Sequence, residues 1–189
     1  NDEEIVGENK SSLKSGMAKK GDFIQVRITP SDGKANGPAF LSTPLRILNA
    51  SPIIQEVWIE PKVAYATDRL RAHVKSSDID GDSINYGYRW EMNGSVLSEE
   101  TGEFLDRGRL KKGDTIAVTV TPNDVEFVSS PKKSEPVTIV NSPPIIISSP
   151  PSKTDGDSYS YQVAAKDPDN DPVVFALKAS PKGMKIDKE

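Results

Sequence analysis

The chain has 189 residues, a formal net charge of −4 at pH 7, 35% hydrophobic residues and no cysteine. The lack of cysteine excludes disulfides and Cys-ligated zinc, and the acidic charge argues against nucleic-acid binding, which needs Lys and Arg clustered on one face. No apolar run approaches the roughly 20 residues that a membrane-spanning helix requires, so the sequence predicts neither a nucleic-acid partner nor a membrane span.

The first patterned segment, KKGDFIQVRITPSD at 19–32, returns 92 residues later as KKGDTIAVTVTPND at 111–124. PLRILNASPII at 44–54 likewise returns as PVTIVNSPPII at 136–146. A constant period of 92 indicates a tandem array of one domain type. Such arrays usually provide length, reach or contacts rather than chemistry. The paired lysines that open the first two segments lie beside acidic residues, and we interpret them as solvated turns.

Between the turns, apolar and polar residues alternate, which is typical of β-strands with one buried and one exposed face. In the second copy, Ile116, Val118 and Val120 face one way, whereas Ala117 and Thr119 face the other. Fifteen prolines and thirteen glycines interrupt these runs and disfavour helices. In the middle copy the pattern predicts seven strands, at about 53–59, 68–76, 83–91, 95–98, 103–108, 114–121 and 134–140.

Seven short strands within one repeat predict an all-β fold of tandem Greek-key β-sandwiches. The repeat divides the chain into the C-terminal half of a sandwich (1–49), a complete sandwich (50–141) and the N-terminal half of another (142–189). The joints between them, LNASP at 48–52 and VNSPP at 140–144, contain proline, which restricts the backbone. We therefore expect neighbouring domains to be joined stiffly.

An acidic turn recurs as well. SYSYQVAAKDPDNDPVVFAL at 158–177 matches RLRAHVKSSDIDGDSINYGY at 69–88 with an offset of 89. Each copy places three aspartates at alternate positions, and calcium prefers several carboxylate oxygens from one short loop. The alternative is a tight turn whose Asp side chains accept hydrogen bonds from backbone amides. No other cofactor is predicted, and the candidate calcium ligands are Asp78, Asp80, Asp82, Asp167, Asp169 and Asp171.

The remaining polar and aromatic side chains do not form a catalytic pattern. His73 is the only histidine, and we expect it to be exposed on the polar face of its strand. The sequence therefore offers no nucleophile, base and orienting group in one constellation, and it predicts no enzyme. Trp90 ends an inward-facing strand and is predicted to fill the core. Trp58 is expected near an edge or interface, where it either packs or stacks on a sugar.

A family resemblance rests on three motifs. Tyr86-x-Tyr88-x-Trp90 after an acidic turn, the KGD-x-[IV]-x-V-x-[IV]-TP strand and the NSPP joint resemble bacterial immunoglobulin-like and polycystic-kidney-disease-type repeats. The DPDNDP turn with PKGMKID at 181–187 is similar to cadherin-like repeats of bacterial surface proteins. The resemblance covers nearly the whole chain and implies extracellular or periplasmic β-sandwiches that serve as spacers, adhesive stalks or accessory modules. Its motifs identify a fold rather than an activity.

Both outer pieces contain only half of the repeat. Two hypotheses stay open: the chain is a fragment of a longer array, or the last half-domain of one subunit is completed by the first half-domain of the next. The second arrangement is a head-to-tail contact that propagates into a filament. It predicts self-association through apolar side chains of both halves, namely Ile24, Val26, Ile28, Tyr159, Tyr161, Val163, Val173, Phe175 and Leu177.

Repetition without a catalytic constellation predicts a non-enzymatic structural or adhesive protein. The resemblance places it at the bacterial cell surface or outside the cell, with the periplasm as the alternative. The competing function is a spacer or carbohydrate-binding accessory module of a larger secreted or surface protein, whose partner would be a glycan or another surface ligand. A third function, a periplasmic assembly lipoprotein, requires an acylated cysteine just before Asn1.

Overall fold

The computed structural model describes residues 5, 11–14, 16–152, 159–180 and 182–186. Within these ranges all regular secondary structure is β, which confirms the predicted all-β class. None of the described residues forms a helix with the length and apolarity that crossing a membrane requires.

The described residues form fifteen strands, and the four long ones lie where the alternation predicted them. The sequence predicted neither the strand at Ala64–Tyr65 nor that at Lys132–Lys133, since two residues are too few to show alternation. In chain order the strands are β1 (Phe23–Ile24), β2 (Arg27–Ile28), β3 (Phe40–Leu41), β4 (Leu45–Arg46), β5 (Ile53–Glu60), β6 (Ala64–Tyr65), β7 (Leu70–Ser77), β8 (Asn85–Met92), β9 (Ser95–Val96), β10 (Phe104–Leu105), β11 (Thr115–Asn123), β12 (Lys132–Lys133), β13 (Val137–Val140), β14 (Ile145–Ile146) and β15 (Ala165–Lys166).

The middle copy contains two sheets. One has three strands in the order β10-β7-β5, and the other has the order β6-β13-β11-β8-β9, with β12 also paired to β11. β10 and β7 are antiparallel, as are β11 and β13, whereas β13 and β6 run parallel. This set of sheets is consistent with the predicted β-sandwich, while the Greek-key connectivity of an immunoglobulin-like domain stays a prediction.

Trp90 lies at the centre of the apolar core. Its side chain is fully buried, and its indole Nε1 donates a hydrogen bond to the carbonyl oxygen of Gly102 at 2.9 Å. A buried indole needs such a partner because an unpaired N–H in an apolar environment is costly. Ile116, Val118 and Val120 are also fully buried. The predicted inward face of β11 and the core position of Trp90 are therefore confirmed.

The opposite face of β11 does not contact water as the alternation predicted. Ala117 is 7% exposed and Thr119 is 9% exposed. β11 lies inside its sheet, with β8 on one side and β12 and β13 on the other. An ion pair between Lys133 of β12 and Glu91 of β8 joins the two flanking strands across β11. Both faces of this central strand are therefore largely buried, and the prediction of a wet face is wrong at this position.

The segments outside the middle copy form small antiparallel sheets, in which β1 pairs with β4, β2 with β3, and β14 with β15. Many of their apolar side chains are exposed to solvent. Val26 is 55% exposed, whereas its equivalent Val118 is fully buried. Ile146 is 63% exposed, whereas its equivalent Ile54 is 8% exposed. These described apolar residues of the outer segments are therefore more exposed than their equivalents in the middle copy.

The described residues belong to two compact units. The first contains β1 to β4 and the acidic turn at Asp78–Asp82, and the second contains Trp90 and the acidic turn at Asp167–Asp171. The domain boundaries expected after residues 49 and 141 stay predictions. The first unit is Asn1–Glu56, Lys75–Gly87 and Thr121–Lys132, and the second is Val57–Val74, Tyr88–Val120 and Lys133–Glu189.

Candidate functional site

The acidic turn between β7 and β8 is closed by one of its own carboxylates. Asp78 Oδ1 accepts hydrogen bonds from the backbone amides of Asp80 at 2.8 Å and Asp82 at 3.4 Å. Gly81 has a φ of +78°, a left-handed conformation that glycine adopts without strain. In the second acidic turn the equivalent residue is Asn170, with a φ of +63°, and asparagine is among the few other residues that tolerate this region. The predicted role of capping amides within the turn is therefore confirmed for Asp78.

The other two carboxylates of this turn reach back to the preceding repeat. Asp80 Oδ2 accepts a hydrogen bond from the backbone amide of Ala50, in the LNASP joint, at 2.7 Å. Asp82 Oδ2 lies 2.8 Å from Lys20 Nζ. We name the set Lys20, Ala50, Asp78, Asp80 and Asp82 the first junction clasp.

The same arrangement recurs at the next joint. Asp167 Oδ1 accepts hydrogen bonds from the amides of Asp169 at 2.8 Å and Asp171 at 3.2 Å. Asp169 Oδ2 accepts one from the Ser142 amide at 2.5 Å, and Asp171 Oδ2 lies 2.5 Å from Lys112 Nζ. Lys112 and Ser142 are the 92-residue equivalents of the first lysine and joint residue, and the aspartates are the 89-residue equivalents. These five residues form the second junction clasp.

The KKGD motif explains how each lysine is presented. Asp22 Oδ2 accepts a hydrogen bond from the Lys19 amide at 2.7 Å, and Asp114 Oδ2 accepts one from the Lys111 amide at the same distance. The glycine between the lysines and the aspartate is left-handed in both copies. The turn therefore closes on itself and directs its second lysine to the acidic turn of the next repeat. The interpretation of the lysine pairs as merely solvated turns is wrong for the second lysine of each pair.

Electrostatics keep both lysines charged. The hydrogen bond to Asp82, followed by the one to Glu126, raises the pKa of Lys20 above its ordinary value. The hydrogen bond to Asp171 raises the pKa of Lys112 in the same way. A lysine whose pKa is higher in the folded chain than in the unfolded chain stabilises the folded state at any pH below the unfolded pKa. The stabilising contribution of each ion pair is therefore present at neutral pH and is lost only as the pH rises through the raised pKa.

Each joint has one further attachment, and this one differs between the copies. Asn49 donates its side-chain amide to Asp124 Oδ2 at 2.8 Å. Asp124 is 6% exposed, and its pKa is lowered, first of all by the hydrogen bond from the Phe127 amide. At the second joint Asn141 instead accepts, through Oδ1, a hydrogen bond from Lys112 Nζ at 2.9 Å.

Calcium fits the acidic turns only in part. In each turn, carboxylate oxygens of the three aspartates lie within 4.8 Å of one another. Asp78 Oδ2 and Asp169 Oδ1 are buried and lack a hydrogen-bond partner among the described residues, which suits a cation that binds oxygen. The clasp lysines oppose a cation, however, because each ammonium group already neutralises one carboxylate. Calcium binding at Asp78, Asp80 and Asp82 and at Asp167, Asp169 and Asp171 therefore stays a proposal.

We expect millimolar calcium to raise the thermal midpoint of the chain, because a ligand that binds only the folded state stabilises it. The rise should be larger in Lys112→Met, where the competing ammonium group is gone. It should shrink in Asp167→Asn, which removes a charge from the second turn. Magnesium is the matched control ion, since it demands a tighter octahedral site. An unchanged midpoint with calcium and with chelator, together with an unchanged mass in native mass spectrometry, would contradict calcium binding and leave the turns with their capping and clasp roles.

His73 and Trp58 form a cluster that the sequence did not predict. Their rings stack with centroids 5.2 Å apart and planes 14° apart. Glu60 contacts both: its Oε1 accepts a hydrogen bond from Trp58 Nε1 at 3.1 Å, and its Oε2 lies 3.2 Å from His73 Nε2. His73 is therefore half-buried rather than exposed. The pairing depends on the register of β5 against β7, which alternation alone does not reveal.

The predicted interface residues all lie on the outer segments. Val26, Ile28, Tyr159 and Leu177 are exposed, whereas the other members of the set are half-buried. Tyr161 has a local partner, since its hydroxyl group donates a hydrogen bond to the Ser148 carbonyl oxygen at 2.9 Å. The exposed members agree with an open apolar face, and pairing between the two segments stays a prediction.

Comparison with known proteins adds no identification. A scan of family models, a search of curated proteins and a search of solved structures each found no match. The family resemblance inferred from the motifs therefore stays a prediction.

Proposed function

We propose that this chain is a non-enzymatic structural protein built of immunoglobulin-like or cadherin-like β-sandwich repeats, whose joints are fixed by the junction clasps. One observation carries the proposal: the same clasp is built twice, from residues that occupy equivalent positions in successive repeats. A connection that served only as a tether would need neither the lysine nor the aspartates.

The clasp acts on two separate parts of the preceding repeat. An aspartate binds the backbone amide of the joint, and another binds the lysine of the KKGD turn. Pro52 in the first joint and Pro143 in the second further restrict the backbone. Two attachments resist bending and twisting better than one, so each repeat keeps a defined direction relative to the next. This property suits a spacer or adhesive stalk at the cell surface, the location that the family resemblance favours.

The clasp can be tested with spin labels, because the chain has no cysteine of its own. Cysteines introduced at Ala35 and Lys75, both exposed, place labels on either side of the first joint. We expect a narrow distance distribution that broadens in Lys20→Met and in Asp80→Ala. The matched control is Lys19→Met, because the exposed Lys19 side chain forms no hydrogen bond or ion pair among the described residues. A broad distribution in the unaltered chain, or one that none of these variants changes, would contradict the proposal.

We also propose that the open faces of the outer segments pair with each other between neighbouring molecules. The complete copy supports this pairing, since the equivalents of both faces are buried there: Val118 and Val120 from one half, and Ile54 and Leu70 from the other. Leu45 and Ile145 are 68% and 58% exposed, and patches of such residues mark interaction sites. Repeated pairing of this kind would extend into a filament.

A further inference from the structure

A hairpin of the middle copy supplies the first junction with two contacts in addition to its clasp. We name residues 123–128, which follow the inner part of β11, the junction hairpin. Its Asp124 Oδ2 accepts a hydrogen bond from the side-chain amide of Asn49 at 2.8 Å. Its Glu126 Oε1 lies 2.5 Å from Lys20 Nζ. Asp124 is 6% exposed and Asn49 is half-buried, so the polar groups of this contact are largely removed from water.

The second junction has no such contact in the part of the chain that the structure describes. Asn141 is the 92-residue equivalent of Asn49. Its side-chain amide donates to the Ser142 carbonyl oxygen at 3.0 Å, and no aspartate among the described residues accepts a hydrogen bond from it. Asn141 is exposed, whereas Asn49 is half-buried. Because a side-chain amide has two N–H donors, Asn141 can still donate to a further acceptor.

A hairpin of matching form lies in the first outer segment. Residues 31–36, which we name the outer hairpin, are the 92-residue equivalents of the junction hairpin. In both hairpins a β-bridge joins the first residue to the last. Asp32 Oδ1 accepts hydrogen bonds from the amides two and three residues later at 2.9 and 2.8 Å. Asp124 Oδ1 accepts the equivalent bonds at 3.0 and 2.7 Å. The first carboxylate oxygen is thus used in the same way in both hairpins.

The second carboxylate oxygen distinguishes the two aspartates. Asp124 Oδ2 binds Asn49, whereas Asp32 Oδ2 has no hydrogen-bond partner among the described residues and Asp32 is exposed. The amide of Ala35, followed by that of Lys34, lowers the pKa of Asp32. The group therefore stays a carboxylate at neutral pH, and a charged acceptor forms the stronger kind of hydrogen bond with an amide donor.

We propose that Asp32 of one molecule accepts a hydrogen bond from Asn141 of a second copy of this chain and so completes the second junction. This inference rests on the proposed pairing of the outer segments. In that pairing the first outer segment of one molecule takes the place of the second half of the middle copy. The outer hairpin then meets the second junction where the junction hairpin meets the first. The 92-residue equivalence of both partners fixes which aspartate faces which asparagine.

One contact of the first junction is reversed in sign at this interface. Glu126 contacts Lys20, but its equivalent in the outer hairpin is Lys34, which would face Lys112. Like charges repel, so the contact between molecules should be weaker than the junction within one chain. Lys34→Glu supplies the acid of the first junction, and we expect it to strengthen association about fivefold.

Mixing two variants isolates a single contact of this kind. Val26→Asp leaves a molecule only its second face, and Ile146→Asp leaves a molecule only its first face, so their mixture should form one type of dimer. Sedimentation velocity measures its dissociation constant. Asn141→Asp, added to the first partner, should weaken the dimer about tenfold or more, because two carboxylates then face each other. Asp32→Asn, added to the second partner, should also weaken it, because its Oδ1 still caps the turn and an amide donor replaces Oδ2.

The decisive measurement combines the two exchanges, one in each partner. An amide donor again stands opposite a carboxylate, so the dimer should regain most of its affinity. Structural damage by either exchange would not produce this recovery, and thermal midpoints show that every variant is folded. The matched control is Asp106→Asn in the second partner, which makes the same change at an exposed aspartate of the middle copy and should leave the affinity unchanged.

The outcomes separate this contact from the pairing on which it rests. A dimer that neither single exchange weakens, or one that does not recover when they are combined, would overturn the Asp32–Asn141 contact and leave the pairing proposal intact. The absence of a dimer in the mixture without these exchanges would overturn both.

Discussion

Replacing Trp90 by alanine should lower the free energy of unfolding by about 3–5 kcal/mol, the usual cost of removing a large aromatic side chain from a packed core. The indole is fully buried, and its Nε1 bonds the Gly102 carbonyl oxygen. The variant therefore loses apolar contacts and leaves a buried carbonyl group without its donor. Urea denaturation followed by far-ultraviolet circular dichroism measures the change.

The control for this variant is Trp58→Phe, at the other tryptophan, which is half-buried on the sheet surface. We expect it to change stability far less. Loss of the cooperative unfolding transition in Trp90→Ala would agree with the upper end of the predicted decrease in the free energy of unfolding. Equal stability of the two variants would contradict the assignment of Trp90 to the core.

Val26→Asp should weaken self-association of the chain by about 100-fold or more. The proposed pairing buries Val26, which is 55% exposed in the single chain, and an unpaired carboxylate in an interface costs several kcal/mol. Sedimentation velocity across a range of concentrations measures the effect. Val63→Asp is the matched control, because it makes the same change at a valine that is 61% exposed on the middle copy.

A mixing experiment tests the head-to-tail geometry directly. Val26→Asp blocks only the first face and Ile146→Asp only the second, so each variant alone should stay monomeric. Their mixture should form dimers that cannot extend, because one intact face of each kind remains. The pairing proposal would be contradicted if the unaltered chain stayed monomeric at high concentration, or if Val63→Asp weakened association as much as Val26→Asp does.

Local patterns predicted a large part of the fold. The long strands β5, β7, β8 and β11 lie where apolar and polar residues alternate. This pattern is visible in the sequence because successive side chains of a strand point to opposite faces of the sheet. The acidic turns could also be predicted from the sequence, because the hydrogen bonds from an aspartate to the amides two and four residues later are local interactions. The 92-residue repeat located equivalent residues in successive copies without any structure.

The candidate site depended on contacts that no local pattern contains. Lys20 and Asp82 are 62 residues apart, and Ala50 and Asp80 are 30 apart. The repeat aligned the two lysines with each other and the two acidic turns with each other. Nothing in that alignment indicated that each lysine contacts an acidic turn. The stack of Trp58 on His73 was likewise hidden, because it depends on which residues of two strands stand side by side.

The sequence by itself determined the all-β class, the period of the array, the turn chemistry and the core position of Trp90, because these follow from backbone preferences and from the burial of apolar side chains. Only the tertiary structure decided how the turns are used. It brought a lysine, a joint amide and three aspartates into one clasp at each junction, and it buried Ala117 and Thr119 on the face of β11 that alternation predicted to be exposed. Distances between residues far apart in the chain are set by the packing of whole strands, which residue order alone does not specify.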